Sequence, residues 1–233
     1  MKPDRIAELL EPYLAPSPRP FERCHSEARR AEESAVLTAA QLQSISTYID
    51  ILQRWNARIN LTAIRDEEEI VTRHFGESLF AARHLFRPCS SVSSVVKGVE
   101  LADVGSGAGF PGIPIKLWAP EISLTLIESN QRKATFLKEV TRALTLMGVN
   151  IQTARAESLA RASFAVVTLR AVERFESILP VAANLVAPGG RLVLLVSQTQ
   201  LPQAQSALPA LSWSDPIAIP ASQSRVLAIA CKR

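Results

Sequence analysis

The 233-residue sequence holds only three cysteines, Cys24, Cys89 and Cys231, scattered and odd in number. With no CxxC pair, neither a zinc site nor a disulfide framework is expected, and a reducing cytoplasm suits the chain. Histidine is as scarce: His25, His74 and His84 form no Ser-His-Asp or metal-ligand pattern. Catalysis by an activated nucleophile or a bound metal is therefore not expected. No apolar run reaches the roughly 18 residues of a transmembrane helix. The opening MKPDRIAELLEPYL has acids where a signal peptide needs its apolar centre. What is present is globular: hydrophobic residues make up 47% and charged residues 21%, which rules out disorder for the main body.

The net charge of +4 is unevenly placed. Residues 1–98 hold 13 basic and 13 acidic side chains, and residues 99–233 hold 13 and 9. The excess on the second part permits a polyanionic partner such as RNA without demanding one.

Residues 2–14 read as a short helix with Ile6, Leu9, Leu10 and Tyr13 at helical spacing. Residues 15–34, with three prolines and four charges of each sign, cannot bury enough surface to offset their ordering entropy. An inserted, solvated loop is expected over 15–35. A helix is expected over 38–58, capped by Thr38 and striped by Leu42, Ile45, Ile49, Leu52 and Trp55. Another is expected over 66–86, capped by Asp66, with Ile70, Phe75 and Leu79 inward. Ser90–Ser94 reads as a linker.

From residue 99 short apolar runs alternate with amphipathic helices. Strands are expected at 99–104, 123–129, 149–155, 164–170 and 191–198, with helices at 113–118, 130–147 and from 171 to about Val186. A turn is expected at APGG (187–190). PIAIPA (216–221) and RVLAIACK (225–232) read as a closing antiparallel pair. Such alternation predicts an α/β fold, a mostly parallel sheet with helices on both faces, behind an N-terminal helical region over 1–98. The two parts are expected to form one unit.

The informative segment is DVGSGAGFPG, from Asp103 to Gly112. Gly105, Gly107 and Gly109 alternate between a strand and a helix, where an open parallel sheet binds nucleotides. A P-loop is excluded because no lysine follows Gly112. Gly107–Gly112 does match GxGxxG, so an NAD-dependent oxidoreductase stays open, although no proton donor for it is evident. Asp103 argues for another ligand. A carboxylate ending the first strand suits an ammonium, or a water that contacts one, and is an awkward neighbour for a pyrophosphate. Glu128, ending the second strand, can accept hydrogen bonds from both hydroxyls of a ribose. An acid, G-x-G-x-G and a second acid together resemble the S-adenosylmethionine (AdoMet) site of class I methyltransferases, which are Rossmann-like.

The resemblance narrows further. WNARINLTAIRD (55–66), RHFGES (73–78), LADVGSGAGFPGIPIK (101–116), TLIESNQRKATFLKEV (125–140), ARAE (154–157) and TLRAV (168–172) occur in order and resemble the RsmG (GidB) family of 16S ribosomal RNA guanine-N7 methyltransferases. The similarity covers residues 36–198 well, and 1–14 and 225–232 loosely. It implies AdoMet contacts at Gly105, Phe110, Ala156, Glu157 and Arg170, with Asp103, Gly107 and Glu128 beside them. It also implies 16S ribosomal RNA or the small ribosomal subunit as partner. Phe110 would wall the pocket, and Arg170, ending strand four, would stand at its mouth.

Three departures mark this sequence. Residues 15–35 have no counterpart in the family pattern, Glu128 stands where the family usually has Asp, and Val196-Ser197 replaces a usual Lys-Gly. Lys138 and Arg142, one turn apart on a helix, are candidates for RNA contact. Arg58, Arg65 and Arg73 lie in motif segments on the cofactor or RNA side. His74 reads as structural, a monomer is expected, and a non-catalytic RNA-binding module of the same fold is the remaining alternative.

Overall fold

The computed structural model describes residues 1–15, 37–86, 98–171 and 174–233, and among these described residues three helices precede the sheet. Helix α1 (Pro3–Leu14) opens on a proline, whose missing N–H has no intrahelical acceptor there in any case. Helix α2 (Ala39–Asn56) opens with a capping box: Gln41 N–H donates to Thr38 Oγ1 (3.2 Å) and Thr38 N–H to Gln41 Oε1 (2.8 Å). Asp66 caps the third helix, accepting from Glu69 N–H at 2.8 Å. That helix, α3, runs through Glu67–Glu69, Ile70–Gly76 and Glu77–Leu85, and its middle part is wound as π-helix where a plain α-helix is expected. A Cβ on Gly76 would meet the Tyr13 ring at 2.6 Å, so the missing side chain lets α1 lie directly on the π-wound segment.

The remaining elements are β1 (Glu100–Val104), α4 (Gly112–Trp118), β2 (Ser123–Ile127), α5 (Gln131–Ala143), β3 (Val149–Gln152), β4 (Phe164–Arg170), α6 (Phe175–Leu185), β5 (Val186–Ser197), α7 (Leu201–Ala207), β6 (Ser212–Trp213), β7 (Ile217–Ala218) and β8 (Arg225–Cys231). The sheet order is β3-β2-β1-β4-β5-β8-β6, with β7 also on β8. Strands β1 to β5 pair in parallel, and β8 runs antiparallel to β5.

Alternation sorts the side chains of each strand onto two faces. Leu101, Val166, Val193, Leu195 and Leu227 join a core with Ile6, Leu10, Tyr48, Ile49, Phe75 and Leu79 of the N-terminal helices. Ala102, Val104, Val167, Leu169, Leu192 and Leu194 pack on the other face with Leu179 and Ala182 of α6 and Leu201 and Ala204 of α7. Asp103, Thr168, Arg170 and Arg225 follow the first parity, so all four lie beneath the N-terminal helices.

Some expectations need correction. APGG is no turn: residues 187–190 lie inside β5, and Gly189 N–H and Lys232 N–H bridge to Lys232 and Gly190 carbonyls at 2.8 and 3.0 Å. The register of β5 against β4 shifts between Phe164 and Val166, and Gly189, with φ of +73°, absorbs that irregularity. Helix α5 ends at Ala143, four residues early, while Phe136, Leu137, Val140 and Leu144 are buried as expected. Helix α7 and strand β6 are too short to show a period in the sequence. All but the first residue of the 15–35 insert, and the Ser90–Ser94 linker, lie outside the described residues.

Candidate functional site

Four adjacent parallel strands end at one edge, and the candidate residues gather there because of it. Gly105 and Gly107 follow β1, Glu128 follows β2, Ala156 and Glu157 sit in a 3-10 turn after β3, and Arg170 closes β4. Gly105 N–H donates to Ile127 O (2.9 Å), which ties the loop's start to β2. Gly105 has φ of +69° and is exposed, so its backbone is open to a ligand on the cleft side.

Glu128 holds the loop from the neighbouring strand. Its Oε2 accepts from Gly107 N–H (2.9 Å) and its Oε1 from Asn130 N–H (2.7 Å). A carboxylate has about four lone-pair positions, so each oxygen keeps one for a further donor such as a hydroxyl. Ala156 is buried and Glu157 exposed.

Asp103 does not face the cleft as an ammonium partner. It is 1% exposed; Oδ1 accepts from the Thr168 hydroxyl (2.8 Å) and Oδ2 from Gly112 N–H (3.2 Å). It is a buried tie between β1, β4 and the end of the glycine loop. Burial pushes its pKa up to about 6, against the hydrogen bonds from Thr168, Gly112 and Ser106. Protonation at Oδ1 is accommodated locally, because the Thr168 hydroxyl can turn to Ala102 O at 3.3 Å.

A pH dependence follows. Between the ordinary value of 3.8 and about 6, the folded protein holds a proton that the unfolded chain has released. This contribution favours folding at the acid end and is lost as pH rises through 6. Stability should drop by about 1.5 kcal/mol more from pH 5 to 7.5 in the parent than in Asp103→Asn. Urea midpoints of both proteins at the two pH values check this, and equal slopes would refute it.

Phe110 does not wall the cleft either. It is 5% exposed, and its ring stacks between Tyr48 (centroids 5.3 Å apart) and His74 (4.7 Å), with Phe75 edge-on at 5.1 Å. Both ring faces are taken, which leaves its backbone for a ligand. The Tyr48 hydroxyl donates to Ala108 O, so α2 braces the loop from behind. Tyr48 is a loop-bracing residue to which the sequence reading assigned no role. Its spacing from Ile45 places it on the buried stripe of α2 and was the available signal.

Arg170 is not open at the mouth: it is 9% exposed and turned under α3. Its Nη2 donates to Arg73 O (2.7 Å) and, with Nε, to Glu77 Oε2 (3.1 and 3.3 Å). Its Nη1 donates to His74 Nδ1 (3.0 Å). An arginine only donates, so Nδ1 is the acceptor and the proton of His74 sits on Nε2, facing Thr62 Oγ1 at 2.8 Å. Burial first, then the Arg170 charge, lowers the His74 pKa to about 2, so the ring is neutral at working pH and structural. Asn56 fixes Thr62 in turn, donating to its carbonyl (3.0 Å) and accepting its N–H (3.1 Å). The WNARINLTAIRD and RHFGES segments thus form one chain of contacts that ends on Arg170.

Lys138 and Arg142 are exposed on one face of α5, but the structure does not bring them to the cleft. The helix starts at the cleft edge, and at ~1.5 Å per residue these positions lie roughly 10 and 16 Å along it. Arg132 and Lys133, in its first turn, are basic residues closer to that edge. Arg58, Arg65 and Arg73 are exposed or half-exposed on the N-terminal side. Among the described residues no group of three or more His, Cys, Asp or Glu could hold a metal ion, and no helix is long and apolar enough to cross a membrane.

With this geometry in view, the comparisons decide the family. The profile described as rRNA small subunit methyltransferase G matches residues 41–218. The chain belongs to that family. A Ribosomal RNA small subunit methyltransferase G from Halorhodospira halophila is 38% identical over 214 residues, which are 90% of this chain and 97% of that protein. Another from Roseiflexus castenholzii is 36% identical over 84% of this chain and 85% of its own. Among solved structures, magnesium protoporphyrin IX methyltransferase from Synechocystis PCC 6803 with bound SAM superimposes with a TM-score of 0.60, 12% identity, and coverage of 82% and 97%. A SAM-dependent methyltransferase from Aquifex aeolicus gives 0.51 at 12% identity, over 59% and 84%. At such identities these structures speak to the fold, which is the class I Rossmann-like one. The family membership disfavours both the oxidoreductase and the non-catalytic alternative.

Proposed function

We propose that this protein transfers the methyl group of AdoMet to N7 of a guanine in 16S ribosomal RNA. The observation that carries the reading is the edge where β1 to β4 end together, with an exposed Gly105 backbone on one strand and the Glu128 carboxylate on the next. The residues present fit the cofactor. Glu128 has acceptor capacity left for the ribose hydroxyls, Gly105 and Gly107 present open backbone, Ala156 and Glu157 stand where the adenine would lie, and Arg170 offers charge at the methionine end. Phe110 contributes through its backbone, and Asp103 acts indirectly by holding the loop.

AdoMet supplies an electrophilic methyl group on a sulfonium. Guanine N7 carries an in-plane lone pair that is free at neutral pH, so the protein needs no general base. Its residues bind, orient and exclude water. His74, neutral and enclosed, is consistent with that division of labour. The RNA reaches the cleft past Arg132 and Lys133, with Lys138 and Arg142 further along the same helix, where phosphate contact depends on charge rather than close fit. Such an enzyme works on small-subunit RNA in the cytoplasm, and as a monomer.

The test is methyl transfer itself. Purified protein, AdoMet carrying a labelled methyl group, and either 16S RNA or small subunits lacking the modification should give label that co-migrates with N7-methylguanosine after digestion. Label on another atom, or on protein, would overturn the assignment. The more active of the two RNA forms identifies the substrate.

A further inference from the structure

We propose that Arg225 and Arg170, both held on Glu77, form a paired-guanidinium site for the carboxylate at the methionine end of the cofactor, with Arg225 the second cation of that site. The inference rests on the AdoMet reading above.

Glu77 is 2% exposed, and one of its oxygens, Oε2, meets both arginines: Arg170 Nη2 at 3.1 Å and Arg225 Nε at 3.0 Å. Among the described residues no other carboxylate forms an ion pair with either arginine; Asp103 feels the Arg170 charge from further off, and Arg225 has Glu77 alone. A surplus cation in a poorly solvated place is costly unless an anion joins it. Arg225 also has unused donor capacity. Its Nε, buried and near Glu77, is off-line and makes no hydrogen bond, and only its Nη2 has an acceptor, Leu195 O at 3.3 Å.

The location selects the anion. Arg225 opens β8, which pairs antiparallel with β5, and Ser197 faces it in register. It therefore stands at the carboxyl edge of the parallel strands, two strands from Arg170 and on the same face. Both guanidiniums meet at Glu77, on the face of the sheet that carries Asp103. The Arg170 side chain is 7% exposed and that of Arg225 is 19% exposed. An RNA phosphate cannot descend to such a depth without its backbone, whereas the carboxylate at the end of a small molecule in the cleft can. Arg225 supplies the donors that have no acceptor, and Arg170, whose own donors are taken by Glu77, Arg73 O and His74, adds its charge, a favourable pairing for a carboxylate. Glu77 is then a positioning residue: it keeps the like charges together before the cofactor arrives.

The experiment compares two ligands by calorimetry without RNA: AdoMet, and decarboxylated AdoMet, which keeps sulfonium and ammonium and lacks only the carboxylate. The parent should prefer AdoMet, and Arg225→Gln should lose about tenfold in AdoMet affinity. The same variant should bind decarboxylated AdoMet within about twofold of the parent, so the preference collapses. Equal losses for both ligands would mean that Arg225 is structural, and this would overturn the proposal. Unchanged AdoMet affinity with a raised RNA KM would also overturn it, in favour of a phosphate contact. If the parent binds neither ligand, the AdoMet reading itself fails, a result distinct from either of these. Arg225→Lys, which restores the charge but not the fork, should recover part of the preference.

Discussion

Alanine at Gly109 is expected to remove both AdoMet binding and several kcal/mol of stability. Gly109 has φ of +87°, a conformation that L side chains rarely adopt. A Cβ there would run into the Tyr48 hydroxyl, and into Ile113 Cδ1 at 2.6 Å and Leu137 Cδ2 at 3.1 Å. Tyr48 cannot retreat cheaply, because its ring is stacked on Phe110 and its hydroxyl is tied to Ala108 O. Overpacking of a well-filled site costs about 1–3 kcal/mol, and the unfavourable φ adds about 1 kcal/mol or more. Gly189→Ala is the control. It has a similar φ of +73° with nothing within 4 Å, so it should lose only the backbone part, about 1 kcal/mol. Urea unfolding and calorimetry on both variants check the contrast. Equal losses would show that the packing against α2 carries no weight.

The second large effect is expected at Glu77→Gln. The substitution keeps the shape and removes the carboxylate that both buried arginines share. Breaking a buried ion pair from one side costs about 3–5 kcal/mol, because the remaining charge stays desolvated. Burial already pulls the Arg170 pKa down, and Glu77 is the charge that pulls it back up. The comparison is Glu69→Gln, which removes an exposed partner 3.0 Å from Arg73 and should move stability by no more than about 0.5 kcal/mol. Denaturant midpoints of the two variants decide, and a Glu77→Gln protein as stable as Glu69→Gln would show that the arginines find other partners. The loss should shrink in the presence of saturating AdoMet by more than the parent's own stabilisation if an anionic ligand end joins this cluster.

These two cases mark where sequence reading stops. The strands, the glycine loop and the acid at Glu128 were legible, because a buried parallel strand reads as a short apolar run and a tight turn reads as glycine, although β2 and β3 stop two and three residues before their expected ends of 129 and 155. Strand β4 was expected at its observed limits for that reason, and the Thr38 and Asp66 caps were visible as side chains that satisfy free N–H groups. Side-chain direction was not legible. Asp103 and Arg170 were assigned to an open cleft from their places at strand ends. Their parity along β1 and β4 sends them under the N-terminal helices, a face that only the tertiary arrangement covers. Arg225 gave no local signal, since its meaning depends on Glu77, 148 positions away in the sequence. The π-wound turn of α3 was hidden as well, because its apolar spacing passes for that of an α-helix. Lys138 and Arg142 were read correctly as neighbours on one helix face, while their distance from the cleft follows from which end of α5 the strand delivers.

The position of β8 has a consequence for the order in which the protein becomes competent. This strand lies inside the sheet, between β5 and β6, yet the ribosome makes it after every other strand. Until residues 225–231 emerge, β5 has an open edge, the apolar side chains of Val193 and Leu195 lack Leu227 beside them, and Glu77 holds one arginine instead of two. A chain whose β8 has not yet paired therefore has a glycine loop beside an unfinished sheet, and strand order in the sequence makes closure of the sheet a late step that joins the two arginines on Glu77.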